Sequence, residues 1–225
     1  MSNILVVAPH PDDETLGMGA TIKKYLAIGH NVFWLIVTGM KDEYGYSISQ
    51  VKKRAVEIEK VNQYYGFSGC YQLSFPPAGL NDIMIGQCIN RVGEIVKNIQ
   101  PDEIYLPFPG DIHSDHRYVF DIMKATSKWF RYPSVKRILC YETLSETNFS
   151  FPIRQGGHFI ANVYEDVTDF LSTKISAMEI YVGEYKEHPF PRSSKAIESL
   201  AALRGSECGC EYAEAFMLLK EIRNV

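Results

Sequence analysis

None of the five cysteines forms a C-x-x-C pair, so the usual framework of a structural zinc site is missing. Their odd number and scatter, at Cys70, Cys88, Cys140, Cys208 and Cys210, also argue against a disulfide scaffold and suggest a reducing compartment. The Cys208-Gly209-Cys210 pair is too weak a pattern to assign a role. No stretch approaches a membrane span, and the first apolar run is too short and too quickly followed by charge to read as a secretory signal. There is no excess of basic charge. The formal net charge is −4 with both signs interspersed, which leaves no electrostatic footprint for nucleic acid. Repeats and low-complexity segments are absent as well. What remains is a cytoplasmic protein of 225 residues, read as one domain spanning 1–225, with a small-molecule partner. A homo-oligomer is compatible with this composition.

What is present is an alternation of strand and helix patterns, the signature of βα units and a largely parallel sheet. Ile4 to Ala8 and Val32 to Val37 are continuous apolar runs, as expected of strands buried on both faces. Ile104 to Phe108 and Ile138 to Tyr141 read as further strands. Helices are expected over Thr15 to Ile28, through Val51, Ala55, Ile58, Val61 and Tyr65, and through Ile85, Ile89, Val92, Val96 and Ile99. Others are expected over His116 to Phe130, through Val167, Leu171, Ile175, Met178 and Val182, and from a Ser193 or Ser194 cap to Leu203. Residues 143 to 163, with Pro152, Gly156 and Gly157, suggest an irregular loop or lid, and Tyr212 to Ile222 is a final apolar segment. The fold class is α/β, a Rossmann-like three-layer sandwich. Its site is expected at the C-terminal ends of the strands.

Two clusters sit at such ends. Pro9-His10-Pro11-Asp12-Asp13-Glu14 follows the first strand, and Asp111-Ile112-His113-Ser114-Asp115-His116 follows the run ending at Phe108. Like charges at this density repel, and a cation offsets them best. An N-cap would explain one carboxylate of the first cluster but not His10 with three acids. His10 and Asp13 can converge on one divalent ion, with a third ligand from the second cluster; spacing alone leaves open whether His113 or His116 supplies it. Two imidazoles and one carboxylate with an open position match a catalytic zinc site, where bound water is acidified toward ~7 and a carbonyl polarised. Iron or another divalent ion could also be accepted. Asp12, between the ligands, is placed as general base. The other histidine of the second cluster could act as acid or oxyanion stabiliser, oriented by Asp115.

With these motifs the chain resembles the LmbE/PIG-L superfamily of zinc-dependent de-N-acetylases. Its strand followed by (A/P)HPDDE and its later HxDH element stand here as Pro9 to Glu14 and His113-Ser114-Asp115-His116. The likeness continues through Arg54, Asn162-Val163-Tyr164 and Tyr212 to Phe216. The resemblance implies His10, Asp13 and His116 as zinc ligands, Asp12 as base, and His113 with Asp115 as the assisting pair. It places Arg54 near the substrate pocket. His158, beside Gly156-Gly157, is added as a second substrate-binding candidate from its loop position. The reaction implied is removal of acetyl from an N-acetylated amino sugar, usually an N-acetylglucosaminyl conjugate. Deacylation of another N-acylated small molecule, such as an aminoglycoside or antibiotic precursor, and non-catalytic sugar or metal binding on the same fold are the alternatives. Tyr44, Tyr46, Phe149 and Phe151 could stack on sugar faces. A nucleotide-binding reading of Leu16-Gly17-Met18-Gly19 lacks the full G-x-G-x-x-G pattern.

Overall fold

The computed structural model describes residues 1–80, 82–151 and 157–223. Strand β1 (Asn3–Ala8) leads through the first His/Asp loop into helix α1 (Asp13–Ala27). Then follow β2 (Asn31–Thr38), α2 (Ile48–Tyr65), β3 (Gly69–Phe75), α3 (Asp82–Ile99), β4 (Glu103–Pro107) and α4 (Ser114–Met123). After β5 (Arg137–Tyr141) come β6 (Val163–Asp166), α5 (Leu171–Ile180), α6 (Ser194–Cys208) and β7 (Ala213–Glu221). The seven strands form one sheet in the order β3-β2-β1-β4-β5-β7-β6. β1 to β5 run parallel, while β7 lies antiparallel to both β5 and β6.

The apolar runs are divided between two cores. In β1, Ile4, Val6 and Ala8 join the cluster containing residues of α1, α2, α5 and α6; Leu5 and Val7 face the cluster containing residues of α3 and α4. β1 is therefore covered on both faces, which explains its unbroken hydrophobicity. From β1 the chain winds outward to β2 and β3, then returns to β4 on the other side. The reversal leaves a crevice beyond the carboxyl ends of β1 and β4, and each of the two His/Asp loops starts from one of these strands.

Several expectations are corrected. Helix α4 starts two residues earlier than the periodicity suggested and ends at Met123, passing into a 3₁₀ turn over Lys124–Ser127. β3 was not marked as a strand by its pattern; it is an edge strand with mixed exposure, so it lacks a clean alternation. The final apolar segment is β7, and part of the expected loop and its sequel forms β6. Within 143–163, Pro152 and Gly156 lie outside the described residues.

Glycines at 17 and 205 mark close approaches. Gly17 leaves room for the ring of Tyr141, whose hydroxyl donates to the Val7 carbonyl at 2.7 Å. Together with the break in α1 at Met18 (φ −152°), this gives the Leu16-Gly17-Met18-Gly19 stretch a packing role in place of the nucleotide-loop reading. Glu214 of β7 accepts from the N–H groups of Ala20 and Thr21 after that break, at 3.2 and 2.7 Å, and Lys174 pairs with it at 2.7 Å. β7 thus caps the second segment of α1. At Gly205 a Cβ would lie 2.6 Å from the carbonyl oxygens of Cys210 and Glu211. Gly205→Ala must push α6 away from the chain that enters β7. The expected loss is about 1–3 kcal/mol of stability with an unchanged m value in urea unfolding; an unchanged midpoint would contradict that packing.

Candidate active site

The loop after β1 is folded back on itself by Asp13, whose Oδ2 accepts from the His10 backbone N–H at 2.9 Å. The same oxygen lies 3.3 Å from His10 Nδ1 and 3.3 Å from His116 Nε2. His116 comes from the first turn of α4 and is completely buried. Its Nδ1 pairs with Asp111 Oδ2 at 2.7 Å, and Asp111 is itself held by the Thr147 hydroxyl at 2.6 Å. Because Asp111 fixes the proton on Nδ1, the Nε2 lone pair points toward Asp13 and His10, and that buried nitrogen has no hydrogen-bond partner. An orphaned imidazole nitrogen beside a second imidazole and a carboxylate is a donor set for a divalent cation.

Among the described residues a second group, His10, His113 and Asp115, also has donor atoms within 4.8 Å of one another. Apart from the buried and unpartnered Asp115 Oδ1, its atoms are largely engaged within the protein. Asp115 Oδ2 binds His10 Nε2 at 2.9 Å and accepts from the Ala78 N–H at 2.8 Å, while His113 Nδ1 accepts from the Asp115 N–H at 3.1 Å. In the His10, Asp13 and His116 group the atom left free is an imidazole nitrogen, the donor type that suits zinc, whereas in the other group it is a carboxylate oxygen. These contacts also change the part expected of Asp115. Its carboxylate orients His10, and only its backbone N–H reaches the His113 ring, with the carboxylate 3.9 Å from that ring's Nδ1. Accepting a backbone N–H at Nδ1 fixes His113 as the neutral tautomer with its proton on Nε2.

The charges agree with a cation site. Burial works against the charged form of His10, yet hydrogen bonds to Asp115 and Asp13 raise its pKa to about 9. Burial opposes His116 in the same way, and the charges of Asp13 and Asp111 nevertheless raise it well above the usual imidazole range. Asp13 is held far below the usual carboxylate range by the two imidazoles, against its own burial. Protons there stand where a divalent ion would neutralise the carboxylates. Asp12 moves the other way: burial and the neighbouring Asp13 push it well above the carboxylate range, with Arg192 pulling it back. Two adjacent carboxyls pushed apart in this way suit an ionised group beside one able to hold a proton. His113 is lowered by burial and by the charge of His10, in keeping with a neutral ring.

Asp12 itself has φ 136° and ψ −27°, and as the residue preceding α1 it makes no side-chain cap. Such a conformation costs about 1–3 kcal/mol in a residue other than glycine. Its Oδ2 accepts from Arg192 Nη1 at 2.7 Å, and Arg192 also reaches Glu184 at 3.0 Å, Glu146 at 3.3 Å and the Ser145 hydroxyl at 2.8 Å. Arg192 and Glu184 were not foreseen. The sequence signal was only a lone arginine in Pro191-Arg192-Ser193, just ahead of the Ser193 cap of α6.

These groups line a cavity of about 260 Å³ that includes His10, Asp12, Tyr46, Arg54, His113 and Arg192. Arg54 turns inward from α2, donating to the Pro11 carbonyl at 3.0 Å and to Glu184 at 2.5 Å. Its neighbour Lys53 stays exposed, so the basic run Lys52-Lys53-Arg54 is not one solvated face. His158 is exposed and does not line this cavity; its segment leads to β6, the outermost strand on that side of the sheet. Tyr44 donates to the Ser74 carbonyl, and Phe149 and Phe151 are exposed, which leaves Tyr46 as the one suggested aromatic residue on the cavity wall.

The family model described as GlcNAc-PI de-N-acetylase, PIG-L, matches residues 5–127, a span that takes in both His/Asp loops. The chain belongs to the PIG-L family. A diacetylchitobiose deacetylase of Thermococcus kodakarensis is 24% identical over 236 residues, covering 99% of this PIG-L chain and 85% of that protein. The N,N'-diacetylchitobiose deacetylase of Pyrococcus horikoshii, solved with an inhibitor, superposes with a TM-score of 0.77 at 21% identity, covering 97% of this chain and 84% of that one. GalB, the 4-carboxy-2-hydroxymuconate hydratase of Pseudomonas putida KT2440, superposes with a TM-score of 0.73 at 15% identity, covering all of both chains. A hydratase on the same architecture means that the fold alone does not name the reaction.

Proposed function

We propose that this PIG-L chain is a metal-dependent hydrolase that removes the acetyl group from an N-acetylated amino sugar conjugate. The observation that carries the reading is the buried, unpartnered His116 Nε2 facing Asp13 and His10, one residue from a carboxyl held for proton transfer. His10, Asp13 and His116 would hold the ion, zinc by ligand type. Once bound, a divalent ion there supplies Lewis acidity for activating water and polarising an amide carbonyl.

The chain's own groups do the rest. Arg192 occupies Asp12 Oδ2, so Asp12 Oδ1 is left to take the proton from the attacking water. That proton passes to the amide nitrogen as the C–N bond breaks, giving acetate and a free amine. His113, neutral and protonated on Nε2, donates a hydrogen bond to the carbonyl oxygen as charge develops on it. Asp115 and Asp111 keep the rings of His10 and His116 in register. Arg54 and Tyr46 on the cavity wall suit the hydroxyls and the face of a sugar ring. The sugar is supported by the family description and by the two deacetylases of similar sequence or fold. The five free thiols fit the reducing, cytoplasmic setting read from the sequence; no helix among the described residues is long and apolar enough to cross a membrane.

The test is free-amine release from a panel of N-acetylglucosamine conjugates, before and after chelation and with zinc restored. Release that is lost on chelation and regained with zinc is expected. Absence of release from every conjugate by fully loaded protein would overturn the sugar deacetylase reading, leaving another acylated substrate or a binding role.

A further inference from the structure

The peptide that joins Pro11 to Asp12 is gripped at both of its polar ends. Its carbonyl oxygen accepts from Arg54 Nη1 at 3.0 Å, and its N–H donates to Glu14 Oε2 at 3.1 Å. We infer that Glu14 and Arg54 form a positioning pair that fixes the sense of this peptide and so holds the Asp12 carboxylate in place. The inference rests on the proposed role of Asp12 as base.

The pair is directional. A guanidinium donates at the carbonyl end and a carboxyl oxygen accepts at the N–H end, so each partner matches the peptide dipole. Turning the peptide over would aim its oxygen at Glu14 and its N–H at Arg54, and both contacts would then repel. A peptide flip changes ψ of Pro11 and φ of Asp12 together, and it is the smallest movement by which Asp12 could leave φ 136°. Opposing the flip is therefore opposing the relaxation of the strained residue. Capping does not account for that strain, because the Asp12 side chain makes no cap and goes to Arg192.

Both grips are braced from behind. Glu14 is fully buried, and its Oε1 accepts from the Thr15 hydroxyl at 2.6 Å and the Tyr181 hydroxyl at 2.8 Å, leaving Oε2 for the Asp12 N–H. Arg54 is held by Glu184 at 2.5 Å and lies 3.4 Å from Glu57. Glu14 reaches neither the cavity lining nor the proposed metal ligands' donor atoms. It acts through Asp12.

Glu14→Gln keeps the side-chain length and one acceptor oxygen, whereas Glu14→Met keeps the length alone. Crystal structures, metal content, kcat and KM of both are compared with the wild type. In Glu14→Met the Pro11–Asp12 peptide is expected to turn over and kcat to fall roughly 100-fold, the scale of a misplaced catalytic group, with metal content and KM little changed. Glu14→Gln is expected to keep the peptide in place and recover most of kcat. A space-filling role would be served equally by both. The inference is overturned if Glu14→Met keeps Asp12 near φ 136° with wild-type kcat, if it loses its metal with the peptide unmoved, or if Gln rescues no better than Met. Should Glu14→Met not fold, Arg54→Met opens the other end and is held to the same structural outcome. If the wild type deacetylates nothing, the base reading fails, and the orientation of the peptide still decides whether the pair positions it.

Discussion

Asp12→Asn is expected to lower kcat by about 10²–10⁴-fold while KM and metal content stay near wild-type values. The substitution removes the proton-accepting oxygen and little else. Asparagine tolerates positive φ better than most residues, so the backbone at φ 136° can persist. Its amide oxygen can still accept from Arg192, which keeps Glu184, Glu146 and Ser145 as partners. A loss confined to kcat would locate the defect in proton transfer rather than in substrate binding. Activity unchanged in Asp12→Asn, measured by amine release with metal content verified, would remove Asp12 from the role of base.

His116→Ala should abolish both metal retention and activity. Outer partners of metal ligands typically govern 10–100-fold in affinity, and a ligand with no alternative partner is expected to exceed roughly 100-fold. Thermal unfolding reads this without turnover. Ligand linkage adds about 2.7 kcal/mol at 100 times Kd, so zinc should raise the wild-type Tm and leave that of His116→Ala unmoved. His113→Ala is the discriminating companion. Its ring is committed at Nδ1 to the Asp115 N–H, so it should retain the zinc-induced rise. The reverse pattern, with His113→Ala losing the rise and His116→Ala keeping it, would assign the ion to the group of His10, His113 and Asp115.

Much of this site was legible because it is built from short segments next to strands that announce themselves. Ile4 to Ala8 is apolar throughout because both faces of β1 are covered, and the charged loop at its end is conspicuous for that reason. The three-residue step from His10 to Asp13 made convergence on one ion a local geometric question. Edge and antiparallel strands were harder. β3 and β6 lie at the two edges of the sheet, where exposure is mixed and alternation fades, and β7 runs against the parallel order set by the βα units.

The sequence by itself determined the α/β class, the two His/Asp loops and the residue types that suit a divalent ion. Tertiary structure decided which atoms are left free. His116 is set apart from His113 because Asp111 fixes its Nδ1 and leaves Nε2 unpartnered, while a backbone N–H occupies Nδ1 of His113. Asp115 serves His10 although it is adjacent in sequence to His116, since the crevice between β1 and β4 brings the two loops face to face. Arg192 meets Asp12 across 180 residues of chain. Periodicity and spacing record neighbours along the chain; a hydrogen bond between distant loops depends on the folded path of everything between them, which no local pattern encodes.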